Sequence, residues 1–432
     1  MVNLIVNIES YGKQVKVGSI HGENMEDARF CYDANYISDS KSIPISISMP
    51  FQKEDFTASQ TRIFFEGLLP EGFSRKAVAK WLQSDEKDYL RILYGLGQEC
   101  LGAIRITESS FEEENASYEE MTLEQVRELA HEGATKSAQL VTQAHLSLTG
   151  ASGKVGLYFD DKNQRWYMPK GSAPSTHIVK QSHVRLDGMV TNEQLALLTA
   201  SNLGIRIPKS FIINTGDKKD EEILFATSRY DRSFDKNTIK KIGGMNAPIR
   251  LHQEDFAQAL GIPSFEKYEN SKKGYLSEMF SILANFSSNP IEDQLRLWDM
   301  IVFDYLIGNT DNHLKNFSLL HENDIKKIRL APAYDIVSTV IYDSSTRNMS
   351  IYIGNECNID DISRESFIDA SNEIGLSPKI AMEHFDNMKA KFGKALQAAS
   401  DKLSGEGFTK AEEIKNKILK VGGIAKKNND SN

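Results

Sequence analysis

Asp311-Asn312-His313-Leu314-Lys315-Asn316 sets an amide five residues after a carboxylate, and a second carboxylate, Asp335, follows in Ala333-Tyr334-Asp335-Ile336. Phosphoryl transfer needs such a set. One carboxylate orients the attacking hydroxyl and takes its proton, and further oxygens hold Mg²⁺ on the nucleotide phosphates. The spacing makes Asp311 the candidate base and makes Asn316 and Asp335 the candidate metal ligands. Asn and Asp also gather in turns for backbone reasons alone. The presence of Asp335 beyond two strand-like pieces, Phe317 to Leu320 and Ile328 to Leu330, favours the chemical reading.

Two further signals gain weight beside that cluster. Lys180 closes Thr176-His177-Ile178-Val179-Lys180, and a strand-borne Lys reaches nucleotide phosphates when a helix Glu steadies it. Glu193 on the next helical stretch is the candidate partner. The run Ser147-Leu148-Thr149-Gly150-Ala151-Ser152-Gly153-Lys154 is small and flexible enough for backbone N–H groups to approach phosphate oxygens. It is no Walker A loop, because Leu148 and Val155 stand where Gly and Ser/Thr belong. A dinucleotide fingerprint beginning at Gly95 fails at Cys100, and neither HExxH nor GxSxG occurs.

The elements that must carry these residues follow from patterning. The 432 residues suit roughly two or three domains. A 40% hydrophobic and 26% charged composition is that of a soluble globular chain. Residues 1–106 read as a small α+β unit. Val2, Leu4, Val6 and Ile8 alternate as a strand, a turn at Tyr11-Gly12-Lys13 leads to a second strand, and two helices follow around Pro70 and Gly72. Residues 107–121, with Glu112 to Glu114, read as an acidic linker. Residues 122–246 form a strand-rich lobe containing one helix around Glu193 to Ala200, stopped by Gly204. Residues 247–432 form a mostly helical lobe. Helices are expected over Glu292 to Ile307 and Pro378 to Ala399, the latter with Ser377 at the N-cap.

A net charge of -9 speaks against non-specific nucleic-acid binding by the whole surface, and the run Lys415, Lys417, Lys420, Lys426, Lys427 reads as a solvated helix and frayed end. Cys31, Cys100 and Cys357 are far apart and suit a reducing compartment. Met1 to Glu9 lacks the regions of a signal peptide and no apolar run approaches a membrane span, so a cytoplasmic protein with no membrane partner is expected.

Taken in order, these motifs resemble the HipA serine/threonine kinases, the toxin halves of bacterial toxin–antitoxin pairs. The resemblance rests on Phe65-Glu66-Gly67-Leu68-Leu69-Pro70-Glu71-Gly72, Gly102-Ala103, Gly150-Ala151 with Lys154, Met168-Pro169-Lys170 and Thr176 to Lys180. It continues through Arg229-Tyr230-Asp231-Arg232, Gln253-Glu254-Asp255-Phe256, the Asp311 to Asn316 loop and Tyr334-Asp335-Ile336.

The resemblance implies an α+β, two-lobed protein-kinase-like fold: a β-rich N-lobe, a mostly helical C-lobe and an extra N-terminal α+β subdomain. It implies ATP and Mg²⁺ as cofactors. Asp311 then looks like the base and Lys180 the phosphate anchor. Ser147, Gly150, Ala151, Ser152, Gly153, Lys154, His313, Lys315 and Tyr334 fall in the nucleotide-binding set. Ser228 to Tyr230 resembles the hinge that meets adenine, and Ser147 the loop serine that such kinases autophosphorylate as an off-switch. The family further implies a protein substrate in translation, with an aminoacyl-tRNA synthetase as candidate, and growth arrest. It implies a HipB-like helix-turn-helix antitoxin that bridges to operator DNA. Ser152, Ser228 and His252 depart from the family's usual Gln, Glu and Pro. Two rivals share these residues: a small-molecule kinase, and an antitoxin-binding co-repressor whose kinase activity is incidental.

Overall fold

The computed structural model describes residues 2–97, 99–108, 116–131, 153–181, 186–235 and 240–425. The first strand, Val2–Ser10, pairs with Lys13–Gly22 across a two-residue turn. Tyr11 and Gly12 both have positive φ there (49° and 74°), the turn that suits a twisted hairpin. Arg29–Tyr32 and Ile104–Thr107 complete a four-stranded antiparallel sheet. Leu4, Val6 and Ile8 are buried as the alternation requires. Asn7 and Glu9 on the other face are buried too, and Glu9 there meets Arg250 of the next unit. The helices Ala58–Gly67 and Gly72–Trp81 flank Pro70, the first opened by a Thr57/Gln60 capping box.

A six-stranded sheet follows, in the order Ser117–Glu120, Arg165–Lys170, Lys154–Asp160, His177–Gln181, Ile223–Ser228, Ser210–Asn214. Its edge strand, Ser117–Glu120, lies inside the segment expected to be an acidic linker. Glu119 and Glu120 are exposed, which gives the stretch its linker-like composition. Tyr118 anchors it, packing on Tyr158 and donating its hydroxyl to the Pro174 carbonyl at 2.9 Å.

The helix Met189–Asn202 is buried at nearly every position from Val190 to Ala200. Beyond it stand Tyr275–Phe286, Pro290–Ile307, Arg364–Glu373, Pro378–Gly405 and Lys410–Val421, with a three-stranded sheet of Gln253–Asp255, Ser318–His321 and Ile328–Leu330. Ser377 does sit at the N-cap of the long helix, but its side chain makes no cap bond; Pro378 at the first turn and the Ser377 carbonyl set the start. Lys415 departs from the solvated reading. It is buried, donating to Glu412 Oε1 (2.7 Å) and Gln397 Oε1 (2.8 Å), and so ties the last helix to the long one. Among the described residues no helix is long and apolar enough to cross a membrane.

Two apolar cores result, and one strand serves both. Ile223 and Phe225 point into the helical lobe's core, while Leu224 and Ala226 join the core of the N-terminal unit. The period-two alternation of a strand covered on both faces does this.

Candidate active site

The helix Pro290–Ile307 delivers the loop that carries Asp311 and Asn316. It ends at Gly308, whose φ of 79° turns the chain out of the helix. Asn309 then grips both sides. Its Nδ2 donates to buried Asp304 Oδ1 (2.8 Å) and its Oδ1 accepts from the Asp311 N–H (3.2 Å). Asn316 Nδ2 donates to the Asp311 carbonyl at 2.7 Å. The five-residue spacing is thus the length of one closed loop, and among the described residues nothing bonds the Asn316 Oδ1. Asp311 Oδ1 accepts from the Tyr268 hydroxyl at 3.0 Å; the residue is exposed, yet the protein packed round its carboxyl desolvates it and pushes it up to about 6.

Asp335 has a left-handed backbone (φ 56°), rare for a residue with a side chain. Lys180 Nζ donates to Asp335 Oδ1 and to Glu193 Oε1, each at 2.6 Å, and Lys154 Nζ stands 3.9 Å from Asp335 Oδ2. Burial alone would raise the Asp335 carboxyl. The two lysines more than reverse this and hold it well below the usual carboxylate range. Lys180 is correspondingly raised: desolvation opposes its charge, but Asp335 and Glu193 outweigh it. Met189–Asn202 supplies Glu193 and the strand His177–Gln181 supplies Lys180, so strand and helix meet through one ion pair.

Lys154, Lys180, Glu193, Tyr268, Asn309, Asp311, Asn316 and Asp335 line one cleft of about 310 Å³, together with Ser228, Tyr230, His313, Lys315 and Tyr334. Along Ser228 to Tyr230, the stretch expected to be the hinge, the Ser228 N–H donates to the Lys209 carbonyl and the Arg229 N–H to the Thr176 carbonyl, both at 2.8 Å. Among the described residues the Tyr230 N–H has no backbone acceptor, so of the three it is the one left for a ligand. The Tyr230 ring stacks on Tyr334 at 5.4 Å, and the Tyr334 hydroxyl donates to the Lys315 carbonyl at 2.9 Å. His313 is buried, which pushes it down to about 3 and keeps it neutral. Lys315, which lines the cleft, is held by the N-terminal unit and the short strand Gln253–Asp255. Its ammonium pairs with Asp255 Oδ2 (3.0 Å) and donates to the Gly67 carbonyl (2.9 Å). Gly153 and Lys154 are described; Ser147, Gly150, Ala151 and Ser152 lie outside the described residues.

A kinase's Mg²⁺ fits this donor set: an ionised carboxylate on Asp335 and an amide oxygen on Asn316 are hard ligands, and nucleotide phosphates would complete the shell. Sequence reasoning missed Tyr268, Lys267 and Glu71. Lys267 and Glu71 also line the cleft, joined at 2.5 Å. Glu71 did stand inside the Phe65 to Gly72 run, the only signal that pointed to it. Behind the hinge, Arg229, Arg232 and Arg250 are buried against Glu99, Asp231 and Glu9, and Gly102 N–H donates to Asp231 Oδ2 at 2.7 Å.

Comparison with known proteins matches residues 146–396 to the HipA-like C-terminal domain and residues 9–107 to the HipA N-terminal domain. Y4mE of Sinorhizobium fredii is 28% identical over 86% of each chain. The serine/threonine-protein kinase toxin HipA of Shewanella oneidensis is 22% identical over 82% of this chain and 80% of its own. HipA in the solved complex of HipA, HipB and operator DNA from Shewanella oneidensis MR-1 superposes with a TM-score of 0.76 at 20% identity, covering 96% of both chains. That likeness shows the two-lobed α+β fold.

Proposed function

Because this chain belongs to the HipA family, we propose that it is an ATP-dependent serine/threonine protein kinase and the toxin of a toxin–antitoxin pair. One observation carries the reading. Asp311 and Asn316, closed into a loop by the bond from Asn316 Nδ2 to the Asp311 carbonyl, share a cleft with the Glu193–Lys180–Asp335 chain.

In this reading Asp311 orients a substrate hydroxyl and takes its proton as the hydroxyl oxygen bonds to the γ-phosphorus. The bond from that phosphorus to the β–γ bridging oxygen breaks and ADP leaves. Lys180 holds the α- and β-phosphates, and Glu193 keeps it in place. Asn316 and Asp335 hold Mg²⁺, which when bound neutralises phosphate charge. Ile178, Phe225 and Leu197 give the adenine end an apolar lining, and Tyr334 supports the loop from below.

The relative solved with HipB and operator DNA supports a helix-turn-helix antitoxin as partner here, with operator DNA reached through it; the net charge of -9 agrees with indirect contact. The protein target is proposed to lie in translation, an aminoacyl-tRNA synthetase being the first to examine.

The test is incubation of the purified chain with MgATP and a bacterial lysate. Phosphate should appear on serine or threonine of protein, and Asp311→Asn should cut the rate by about 10²–10⁴. Phosphate recovered only on small molecules would favour the small-molecule kinase. Growth arrest that is equal for wild type and Asp311→Gln on induction would show that catalysis is not the mode of action.

A further inference from the structure

The N-terminal unit reaches the reacting end of the cleft through Glu71. This residue is the N-cap of the helix Gly72–Trp81, yet its side chain makes no cap bond. Its Oε2 instead accepts from Lys267 Nζ at 2.5 Å, and its Oε1 lies 3.6 Å from Lys315 Nζ. Lys267 is only 8% exposed. Its carbonyl accepts the N–H of Leu314, which pins its backbone to the catalytic loop. Its ammonium lies 5.3 Å from the ring centroid of Tyr268, whose hydroxyl bonds the Asp311 carboxylate.

Among the described residues the cations lining the cleft are Lys154, Lys180, Arg229, Lys267 and Lys315. Lys154 and Lys180 flank Asp335, at the metal side. Arg229 is wholly enclosed with Glu99 and Asp231. Lys315 is bonded to Asp255 and the Gly67 carbonyl. His313, within the loop itself, is neutral. Lys267 is left on the Asp311 side, and its charge is felt at both Asp311 and His313. Phosphoryl transfer spreads negative charge over the transferring oxygens, and a fixed cation there lowers the barrier more than one in water would.

We propose that Lys267 is a catalytic residue that neutralises the transferring phosphoryl group, and that Glu71 of the N-terminal unit is the positioning residue that holds it beside Asp311. This rests on the kinase reading above, and it gives the N-terminal unit a part in the chemistry. Lys267 is then shared between Glu71 and the phosphoryl oxygens during transfer.

Two measurements on the full chain test it: ADP formation from MgATP in single turnover with heat-treated bacterial lysate proteins as the hydroxyl acceptor, and titration of MgADP with and without aluminium fluoride, a mimic of the transferring phosphoryl group. Lys267→Met should slow ADP formation by about 10²–10³ while MgADP affinity stays within about threefold. The tightening that aluminium fluoride gives the wild type should disappear. Lys267→Arg should recover part of both, and Glu71→Gln should lose about tenfold in rate with MgADP affinity kept. A Lys267→Met protein that matches the wild type in rate and in aluminium-fluoride tightening overturns the proposal and leaves the kinase reading standing. So does a rate loss matched by an equal loss of MgADP affinity that Lys267→Arg fails to recover. A wild type that forms no more ADP than Asp311→Asn overturns the kinase reading, and this proposal with it.

Discussion

Two carboxylates share the cleft under opposite influences. Asp335 lies between Lys180 and Lys154, whose charges keep it ionised at any working pH. Among the described residues no cation is bonded to Asp311, and the protein packed round its carboxyl, with the charge of Asp335, pushes it up to about 6. Environments that push two acids apart assign their roles: the permanently ionised one suits a metal, the other suits proton transfer. Asp335→Asn removes the ligand charge and leaves Lys180 with Glu193 alone. Expected is a loss in turnover of about 10²–10³, read by steady-state kinetics, with circular dichroism unchanged. Gly308 is the second sensitive residue. At φ 79° a Cβ would stand 2.3 Å from Val340 Cγ2. Gly308→Ala should cost roughly 1–2 kcal/mol from the left-handed backbone alone, more with the clash, and should displace the loop that Asn309 fixes to Asp304. Chemical denaturation reads the first effect and ADP formation the second.

At the scale of elements, what was legible in the sequence is what closes over short distances. Asp311 and Asn316 span one loop, so their spacing carried the signal. The strand His177–Gln181 was visible as the strand-like piece Thr176 to Lys180, and the helix Met189–Asn202 through its apolar positions and the Gly204 stop. The near-total burial of that helix was not, because it is packed on both sides and so lacks a polar face to betray its orientation. Tyr268 meets Asp311 across 43 positions and Lys267 meets Glu71 across 196, and no periodicity spans such gaps. Glu254 is another long-range case. It sits on the short strand Gln253–Asp255 and bonds Ser46 Oγ and the Ile47 N–H of the N-terminal unit. Burial pushes its carboxyl up to about 8. The unfolded chain releases this proton near the ordinary value of about 4.3, the folded chain only near 8. Between those values the folded state binds more protons, so this contribution is full at low pH and is lost as pH rises through about 8. Glu254→Gln should therefore flatten the fall of melting temperature between about pH 5 and 8. A slope unchanged from the wild type would show that Glu254 is ionised in the fold.

At the scale of the molecule, the N-terminal unit is not an appendage. It shares an apolar core with one face of the six-stranded sheet and lends Glu71 and the Gly67 carbonyl to the cleft. It also closes the hinge through the buried ion cluster. Glu99 is the hub: Oε1 takes Arg232 (2.6 Å) and Arg229 (3.2 Å), and Oε2 takes Arg250 (2.5 Å). Burial would raise this carboxyl, but the three guanidinium groups hold it far below the carboxylate range. Breaking a buried pair leaves uncompensated charge and costs roughly 3–5 kcal/mol, while an exposed pair contributes about 1 or less. Glu99→Gln keeps the shape and removes the charge, leaving three buried arginines to the two carboxylates of Asp231 and Glu9. Expected is a loss of that size in denaturant unfolding, together with weaker MgADP binding, because Tyr230 sits between Arg229 and Asp231 of the cluster. Glu9→Gln removes the carboxylate that pairs with Arg250 and should cost clearly less. If both variants unfold within about 1 kcal/mol of the wild type, the cluster contributes no more than surface pairs do, and the hinge is held by its apolar contacts instead.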